Sequence, residues 1–418
     1  MALPVFTRFS SKSGQVLGNK RPHLFISAPA RYLHPSPTLS MKANLLFTHR
    51  WRLYRHIGRC ARQSFSRLKQ FSTSSSLQHT PAPQMPGALH QQHHDLDPFK
   101  LAEPDLVSLY ADIRKELWTQ SNHLEQISSY YFDGHGKAFR PVMVVLMARA
   151  LNYHIFESNR LLETQHRMAI IAEMIHTASL VHDDVIDTSD TRRGKSSVNL
   201  LWGQKKAILA GDFILAQAAR ILAQLDNEDV VHLLAQVLVD LVQGEFMQMS
   251  AMEDESERFS HYLQKTFKKT ASLTAYTCKA AAVLGGADST LQEMAFQYGR
   301  NVGIAFQLID DLLDFIASQN ELGKPTAADL RLGLATAPVL FASQKYPELK
   351  PMILRRFCNL GDVEKAYEAV LNSDGLTHTK LLARKHANEA LSHISILADS
   401  VEKRALMSVI EKVLERSK

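Results

Sequence analysis

Two clusters of aspartate residues lie far apart in this chain but share one spacing. Each places aspartates at positions i, i+1 and i+4 of an apolar, helix-forming stretch, and the six are Asp183, Asp184, Asp187, Asp310, Asp311 and Asp314. Residues four apart share one face of a helix, where like charges destabilise a bare helix. Mg²⁺ suits such carboxylates, because it binds through one or two of them together with substrate phosphates. The spacing therefore predicts two carboxylate pairs that hold a diphosphate through divalent cations.

Basic residues that fit the same chemistry are spread along the chain. They are Lys137, Arg140, Arg192, Arg193 and Lys269, the last beside the Thr270 hydroxyl. Arginine presents a planar fork that matches phosphate oxygens, and a helix N-terminus, expected near Arg140, favours anions. Any one of these residues alone is more often a solvated surface charge. Together with the aspartates they provide positive charge for one diphosphate and metal-binding carboxylates for another.

These motifs resemble those of the trans-isoprenyl diphosphate synthases, over about residues 100–418. The segments that carry the resemblance are GKAFRP from Gly136, HTASLVHDDVIDTSDTRRG from His176, GEFMQ from Gly244, Lys269-Thr270 and GIAFQLIDDLLD from Gly303. The resemblance implies an all-α protein, a single large antiparallel helical bundle of the isoprenoid synthase type with a central apolar cavity. Apolar residues at helical spacing from about residue 100 onward favour the same fold class.

The resemblance also implies a role for each matching residue. Mg²⁺ is expected at the six aspartates. Isopentenyl diphosphate is expected at Lys137, Arg140, His176 and Arg193. The allylic diphosphate is expected at Arg192, and the path of its reacting carbon is expected to be lined by Lys269, Thr270 and Gln307. The chain departs from the family where many relatives have lysine in a GKxTxP stretch, because it has Leu334 there. Lys324 is expected to take over that anion contact.

The helix before the first aspartate cluster predicts the length of the product. Ala178 and Ser179 lie roughly 6–8 Å along the helix axis from Asp183, at 1.5 Å per residue. Short-chain members of the family have bulky aromatic residues there that close the pocket, whereas both residues are small here. We therefore expect a long-chain product, and the resemblance implies about nine or ten isoprene units for the ubiquinone side chain. Ordinary helix packing through small residues is the alternative interpretation.

The implied reaction is ionisation of an allylic diphosphate, expected to be farnesyl or geranylgeranyl diphosphate, condensation with isopentenyl diphosphate, and loss of a proton. The alternative is a catalytically weak prenyl-binding or regulatory subunit of a hetero-oligomeric synthase, and a terpene cyclase is a third option. A silent subunit is expected to lose motif residues, and a cyclase the second aspartate cluster, but both clusters are complete. The resemblance implies a hetero-oligomer with a second, divergent synthase subunit, with a homodimer as the alternative.

The N-terminal segment has a composition of its own. Residues 1–94 contain 13 Lys and Arg but no Asp or Glu, and they are rich in Ser. This composition indicates a mitochondrial transit peptide, with a disordered basic tail or nucleic-acid arm as the alternative. We expect a transit peptide at 1–75, a flexible lead-in at 76–98 and the synthase domain at 99–418, in the mitochondrial matrix or on the inner-membrane surface.

The rest of the chain has a different charge balance. After residue 94 the 42 acidic residues outnumber the basic ones by seven, which gives no support for nucleic-acid binding. No uncharged apolar run reaches the roughly 18 residues that a membrane-spanning helix needs. We therefore expect neither a nucleic-acid partner nor a transmembrane segment.

Overall fold

Helices make up nearly all of the part of the chain that the structure describes. This computed structural model describes residues 96–416, apart from positions 135, 137, 250–253 and 317–326. The α-helices are α1 (Pro98–Leu106), α2 (Leu109–Glu116), α3 (Asn122–Ser128), α4 (Phe139–Phe156), α5 (Glu163–Ile186), α6 (Val198–Trp202), α7 (Gln204–Ala223), α8 (Glu228–Met249), α9 (Glu255–Thr266), α10 (Ser272–Leu284), α11 (Ser289–Ile316), α12 (Ala328–Arg331), α13 (Ala337–Lys345), α14 (Leu349–Leu354), α15 (Asp362–Leu371), α16 (Gly375–Ile394) and α17 (Val401–Leu414). A π-helix (Phe267–Ala271) and a hairpin of β1 (Thr191–Arg192) and β2 (Lys195–Ser196) complete the fold. The all-α prediction is confirmed.

Several sequence-based predictions lie outside the described residues. They are the transit peptide, the lead-in before residue 96, Lys137 and Lys324. The domain boundaries and the roles of these two lysines therefore stay predictions.

Helix α4 lies in the centre of the bundle. Its residues from Pro141 to Ala148 are all buried, and a helix that is apolar all round is a core helix. It packs against α5, α10 and α17, and all of these helices share one apolar core with α11. Helices α10 and α11 follow each other after a short turn and pack side by side, as antiparallel neighbours do. The C-terminal ends of α5 and α11, where the two aspartate clusters lie, pack in two further apolar clusters. Val181 of α5 packs with residues of α6 and α7, and Ile309 and Phe315 of α11 pack with residues of α12 to α16.

Two glycines let neighbouring helices approach the π-helix closely. A Cβ atom on Gly303 in α11 would lie 2.6 Å from the Cα atom of Ala271, and one on Gly244 in α8 would lie 2.8 Å from the backbone nitrogen of Lys269. A side chain at either position would push the helices apart, and overpacking of this kind is destabilising. The π-helix is therefore held tightly between α8 and α11.

Helix α8 has apolar residues on its outer as well as its inner side. Within the described part of the chain it is the one helix long and apolar enough, by length and composition alone, to cross a membrane, and 28% of that window is buried. Its inner side packs against α10 and the π-helix. On that side Asp240 accepts a hydrogen bond from the Lys268 ammonium group, with an Nζ–Oδ1 distance of 2.7 Å. Helix α8 is thus a packed part of the bundle that also exposes apolar side chains.

Candidate active site

Both aspartate clusters lie at the C-terminal ends of helices. Helix α5 ends at Ile186, and Asp187 follows as its cap, with a backbone N–H that donates to the Asp183 carbonyl oxygen at 2.8 Å. The second cluster occupies the last two turns of α11, which ends at Ile316. The C-terminus of a helix carries partial negative charge, so it disfavours carboxylates and favours cations. Helix ends therefore add to the charge repulsion that the spacing alone predicted.

The carboxyl group of Asp183 has a strongly perturbed pKa. This pKa is raised to about 6, mainly by burial and also by the carboxylates of Glu245 and Asp187, against the lowering effect of Lys269. Burial also raises the pKa of Asp187. Two half-buried carboxyl groups thus lie close together where the fold supplies too little positive charge. A bound cation would relieve this repulsion.

Asp184 has partners of its own within the fold. It is fully buried, and its Oδ1 atom accepts from both Nε (2.9 Å) and Nη2 (2.6 Å) of Arg192. Its other oxygen accepts from the Tyr131 hydroxyl at 3.0 Å. In this arrangement Asp184 orients Arg192 beside the first cluster. Metal binding by Asp184 and diphosphate binding by Arg192 stay predictions.

The hairpin after α5 fixes the position of the two arginines. Its strands are joined by the two-residue loop Arg193-Gly194, and both residues have positive φ angles, 54° and 74°. Two-residue loops of this kind need φ > 0 at both central positions, which Gly194 adopts freely and Arg193 only at some cost. Gly136 makes room for Arg193, since a Cβ atom there would lie 2.6 Å from the Arg193 Nη1 atom.

Three of the residues expected to bind isopentenyl diphosphate come together around Glu173. The pKa of Arg140 is lowered to about 10, mainly by burial and also by Arg193, although buried Glu173 counteracts both. Burial, with Arg140 and Arg193, also lowers the pKa of His176 well below its usual value, so this imidazole is neutral. The buried Arg140 Nε atom has no hydrogen-bond partner among the described residues. A buried, unsatisfied guanidinium nitrogen fits an anionic ligand.

In the second cluster Asp311 is the buried member. Burial raises the pKa of its carboxyl group, which accepts from the Tyr262 hydroxyl at 2.5 Å and from the Gln307 amide nitrogen at 2.8 Å. Asp310 is more exposed, with its Oδ1 atom 3.6 Å from Nη2 of Arg416. Asp310 is therefore the carboxylate of this pair with the easier access to a cation.

Asp314, the third member, caps the short helix α12. Its two carboxylate oxygens accept from the backbone N–H groups of Ala328 (3.0 Å) and Asp329 (3.1 Å). These bonds hold the start of α12 against the end of α11 and bring Asp329 next to the cluster.

The π-helix connects the two clusters. On one side of it Lys269 pairs with Glu245, with an Nζ–Oε2 distance of 2.5 Å, and its charge lowers the pKa of Asp183. On the other side the Thr270 hydroxyl donates to the Gln307 amide oxygen at 2.9 Å, and Gln307 in turn bonds Asp311. Single-turn π-helices recur at functional sites because they redirect neighbouring side chains. Here one turn presents Lys269 to the first cluster and Thr270 to the second.

The donors present fit Mg²⁺ bound together with a substrate diphosphate. Within the described residues no group of three or more Asp, Glu, His or Cys side chains forms a closed metal cage. Mg²⁺ does not need one, because it keeps several waters and takes only one or two carboxylates beside phosphate oxygens. The pKa values of Asp183 and Asp187 are raised because the nearby Lys269 and Arg192 do not fully offset burial, and a bound cation would add to that offset.

The residues that hold the functional side chains were missed in the sequence. Tyr131 and Tyr262 bond the buried aspartates but lie dozens of residues away from them. Asp329 joins the second cluster, and its pKa is raised to about 8, mainly by burial and also by the carboxylates of Asp311 and Asp314. No spacing rule links these residues to the motifs, so only the tertiary fold identifies them.

Comparison with known proteins decides the family. The family model described as "Polyprenyl synthetase" matches residues 121–370. The chain belongs to this family. Membership of the polyprenyl synthetases confirms the resemblance inferred from the motifs, and the match includes both aspartate clusters, the hairpin and the π-helix.

Curated polyprenyl synthetases resemble the chain over most of its length. The human all trans-polyprenyl-diphosphate synthase PDSS1 is 56% identical over 79% of each chain. The Oryza sativa mitochondrial solanesyl-diphosphate synthase 1 is 41% identical, over 79% of this chain and 81% of the relative. The Schizosaccharomyces pombe decaprenyl-diphosphate synthase subunit 1 is also 41% identical, over 76% of this chain and 91% of the relative.

Solved structures of polyprenyl synthetases share the fold. A polyprenyl synthase from Caulobacter crescentus, crystallised with calcium and isoprenyl diphosphate, superposes with a TM-score of 0.69 at 30% identity. The superposition covers 77% of this chain and 97% of that chain. The prediction of an isoprenoid-synthase bundle is confirmed.

Proposed function

We propose that this chain is a long-chain trans-polyprenyl diphosphate synthase, which adds isopentenyl diphosphate units to farnesyl or geranylgeranyl diphosphate. The observation that carries the proposal is the π-helix, which presents Lys269 to one aspartate cluster and Thr270 to the other. Two carboxylate clusters on either side of one turn suit a single diphosphate between them. The two complete aspartate clusters, and long-chain synthases among the relatives, favour a catalytic chain over a silent prenyl-binding subunit.

The proposed reaction begins when the allylic C–O bond breaks and the diphosphate leaves with the bonding electrons. Thr270 and Gln307 have oxygens suited to stabilising the allylic cation that remains, and Asp311 fixes the orientation of the Gln307 amide. The double bond of isopentenyl diphosphate, held by Arg140, His176 and Arg193, attacks this cation to form the new C–C bond. The departed diphosphate then accepts the proton whose loss restores a double bond.

We propose that the aspartates bind a divalent metal, Mg²⁺. When bound there, the metal would neutralise the negative charge that develops on the leaving diphosphate. Asp183 and Asp187, which are half-buried, and Asp310, which is exposed, are the carboxylates best placed to hold it. Buried Asp184 and Asp311 are held by tyrosine hydroxyls, and Asp314 caps α12. Apolar helices around the site exclude water, which would otherwise capture the cation.

The test is the product formed from defined substrates. The full chain is expressed alone and together with the organism's second synthase-family subunit, then supplied with Mg²⁺, farnesyl diphosphate and labelled isopentenyl diphosphate. Chromatography of the products is expected to give polyprenyl chains of about nine or ten isoprene units, the length that family resemblance implies. No elongated product under either condition would contradict the proposed function.

We also propose that the outer side of α8 binds the second subunit. Exposed side chains follow a helical spacing along the whole helix, and this α8 stripe consists of Val231, Ala235, Leu238, Val242, Phe246 and Met249. An apolar stripe of this kind is the surface that a partner helix packs on. The S. pombe relative is named as subunit 1 of a synthase, which favours a second synthase subunit as the occupant.

A charge introduced in the α8 stripe tests this assembly. Val242 is 58% exposed, so Val242→Asp is expected to leave the fold intact but to prevent co-purification with the second subunit. Leu381→Asp is the matched control, because Leu381 is similarly exposed (54%) on α16. Light scattering measures the assemblies. A Val242→Asp variant that assembles as well as Leu381→Asp would exclude this surface, and a dimer of this chain alone would identify a second copy as the occupant.

The proposed location is the mitochondrial matrix, in contact with or near the inner membrane. A basic, acid-free segment at 1–94 and a mitochondrial relative in rice support this location. The proposed organisation places the transit peptide at 1–75, the lead-in at 76–98 and the synthase domain at 99–418.

A further inference from the structure

A basic cavity of about 70 Å³ lies next to the second aspartate cluster, between α9 and the segments that follow α12 and α14. Its polar lining consists of Gln248, Arg258, His261, Tyr262, Lys265 and Arg356. No described Asp or Glu lines it. Its basic lining therefore points to an anion.

Lys265 is the cation in this lining without a partner. No described carboxylate or hydrogen-bond acceptor pairs with its ammonium group, which lies over the Tyr262 ring at 5.4 Å from the centroid. Burial lowers the pKa of Lys265, and the carboxylates of Asp311 and Asp329 counteract that effect. The side chain thus lies between the cavity and the second aspartate cluster, and no described carboxylate is within bonding distance of its Nζ atom.

Leu334 lines the same cavity. It occupies the position where many members of the family have a lysine, and an aliphatic side chain cannot bind a phosphate. Because Lys265 on α9 faces the cavity that Leu334 also faces, it brings a positive charge to the same space from a different helix. The basic side chain that Leu334 does not provide after α12 is therefore provided in the same cavity by Lys265 on α9.

Arg356 is held at the cavity by its surroundings. Its Nη1 atom donates to the Met249 carbonyl oxygen at 2.8 Å, and its backbone has a positive φ angle of 55°. Gly333 makes room for it, since a Cβ atom there would lie 2.9 Å from the Arg356 carbonyl oxygen. Such strained backbone persists where the surrounding structure imposes it, often at ligand sites. The basic lining is therefore positioned in advance.

We propose that this cavity is a phosphate-binding subsite for the diphosphate held at the second aspartate cluster, in which Lys265 supplies the positive charge that Leu334 lacks. The inference deepens the proposed synthase function and rests on it. Tyr262 links the two parts physically, because it lines the cavity and donates to Asp311. Lys265 is thus a substrate-binding residue that the family motifs do not contain.

Direct binding of inorganic diphosphate tests the proposal without requiring turnover. Calorimetry on the full chain with Mg²⁺ is expected to give a Kd for Lys265→Met that is weaker than wild type by on the order of tenfold, because a charged hydrogen-bond donor is lost. Adding Leu334→Lys to that variant is expected to restore the affinity to within about threefold, because the new lysine faces the same cavity. Lys380→Met, at an exposed position on α16, is the matched control for net charge and is expected to bind as wild type.

Two results would overturn the inference: a Lys265→Met variant that binds diphosphate as tightly as Lys380→Met, or a double variant that regains no affinity. Thermal melting checks that each variant is folded. If Lys265→Met does not fold, the single variant Leu334→Lys is measured instead. A second cation in the cavity is expected to tighten diphosphate binding. An unchanged Kd for diphosphate would exclude the site. Failure of the synthase proposal is distinguishable, since it appears as absent product in the wild type rather than as a difference between variants.

Discussion

Asp183→Ala is expected to reduce polyprenyl diphosphate formation by on the order of 10³-fold, because roughly 4 kcal/mol of stabilisation of the leaving diphosphate is lost. Asp183 lies in the last turn of α5, with the π-helix residue Lys269 and Asp187 close enough to shift its pKa. Turnover of labelled isopentenyl diphosphate measures the effect.

The control for this variant is Asp190→Ala. Asp190 is exposed and lies seven positions further along the chain, where only its backbone carbonyl makes a hydrogen bond. It is expected to keep wild-type turnover. Comparable activity in both variants would show that the first cluster does not hold the substrate, and would remove the basis for the two-cluster site.

Stability gives Asp183 a second readout that does not depend on activity. Because the pKa of Asp183 is raised to about 6, the folded protein binds this proton more tightly than the unfolded chain does. The ionised group therefore costs stability in full above that pKa, and the cost shrinks as pH falls towards the ordinary aspartate value. Asp183→Asn is expected to raise the melting temperature of the metal-free protein by about 2–4 °C at pH 8. The increase should be smaller at pH 5.

Local spacing predicted what depends on one helix. The aspartate pairs, the apolar helical repeat and the start of α4 near Arg140 follow from positions three and four apart, and the structure has them on helices. The spacing also predicted that the paired aspartates destabilise their helices, because like charges four residues apart repel. What the spacing did not reveal is that Asp187 lies just beyond α5, where the helix end increases the repulsion.

Contacts between distant segments were beyond the sequence. Hydrogen bonds from Tyr131 to Asp184 and from Tyr262 to Asp311 join residues 53 and 49 positions apart. The side-chain pattern of a single π-helical turn does not differ from that of an α-helix. The sequence therefore contained no sign that Lys269 and Thr270 lie on anything but an ordinary helix. Their separation onto two partners depends on packing at Gly244 and Gly303, which only the assembled bundle defines.

Ala178→Phe is expected to shorten the product by several isoprene units while sparing the first condensation. Ala178 is completely buried on α5, five residues before Asp183 and therefore about 7.5 Å from it along the axis at 1.5 Å per residue. A phenylalanine there is expected to add bulk on the route that we propose for a growing chain as it extends away from the first cluster. Chromatography of the products with farnesyl diphosphate as substrate measures the length distribution, and single-turnover labelling measures the first addition.

Because Ala178 is fully buried, overpacking is the competing cause of any loss of product. Ser179→Phe separates the two effects, since Ser179 is less buried and its hydroxyl bonds only the carbonyl oxygen of His176, at 2.8 Å. A blocked channel gives shorter products at an undiminished rate of first addition, and Ala178→Leu should give intermediate lengths. A packing defect instead lowers all rates together and leaves the length distribution unchanged. That second pattern would refute the assignment of Ala178 as the residue that keeps the pocket open.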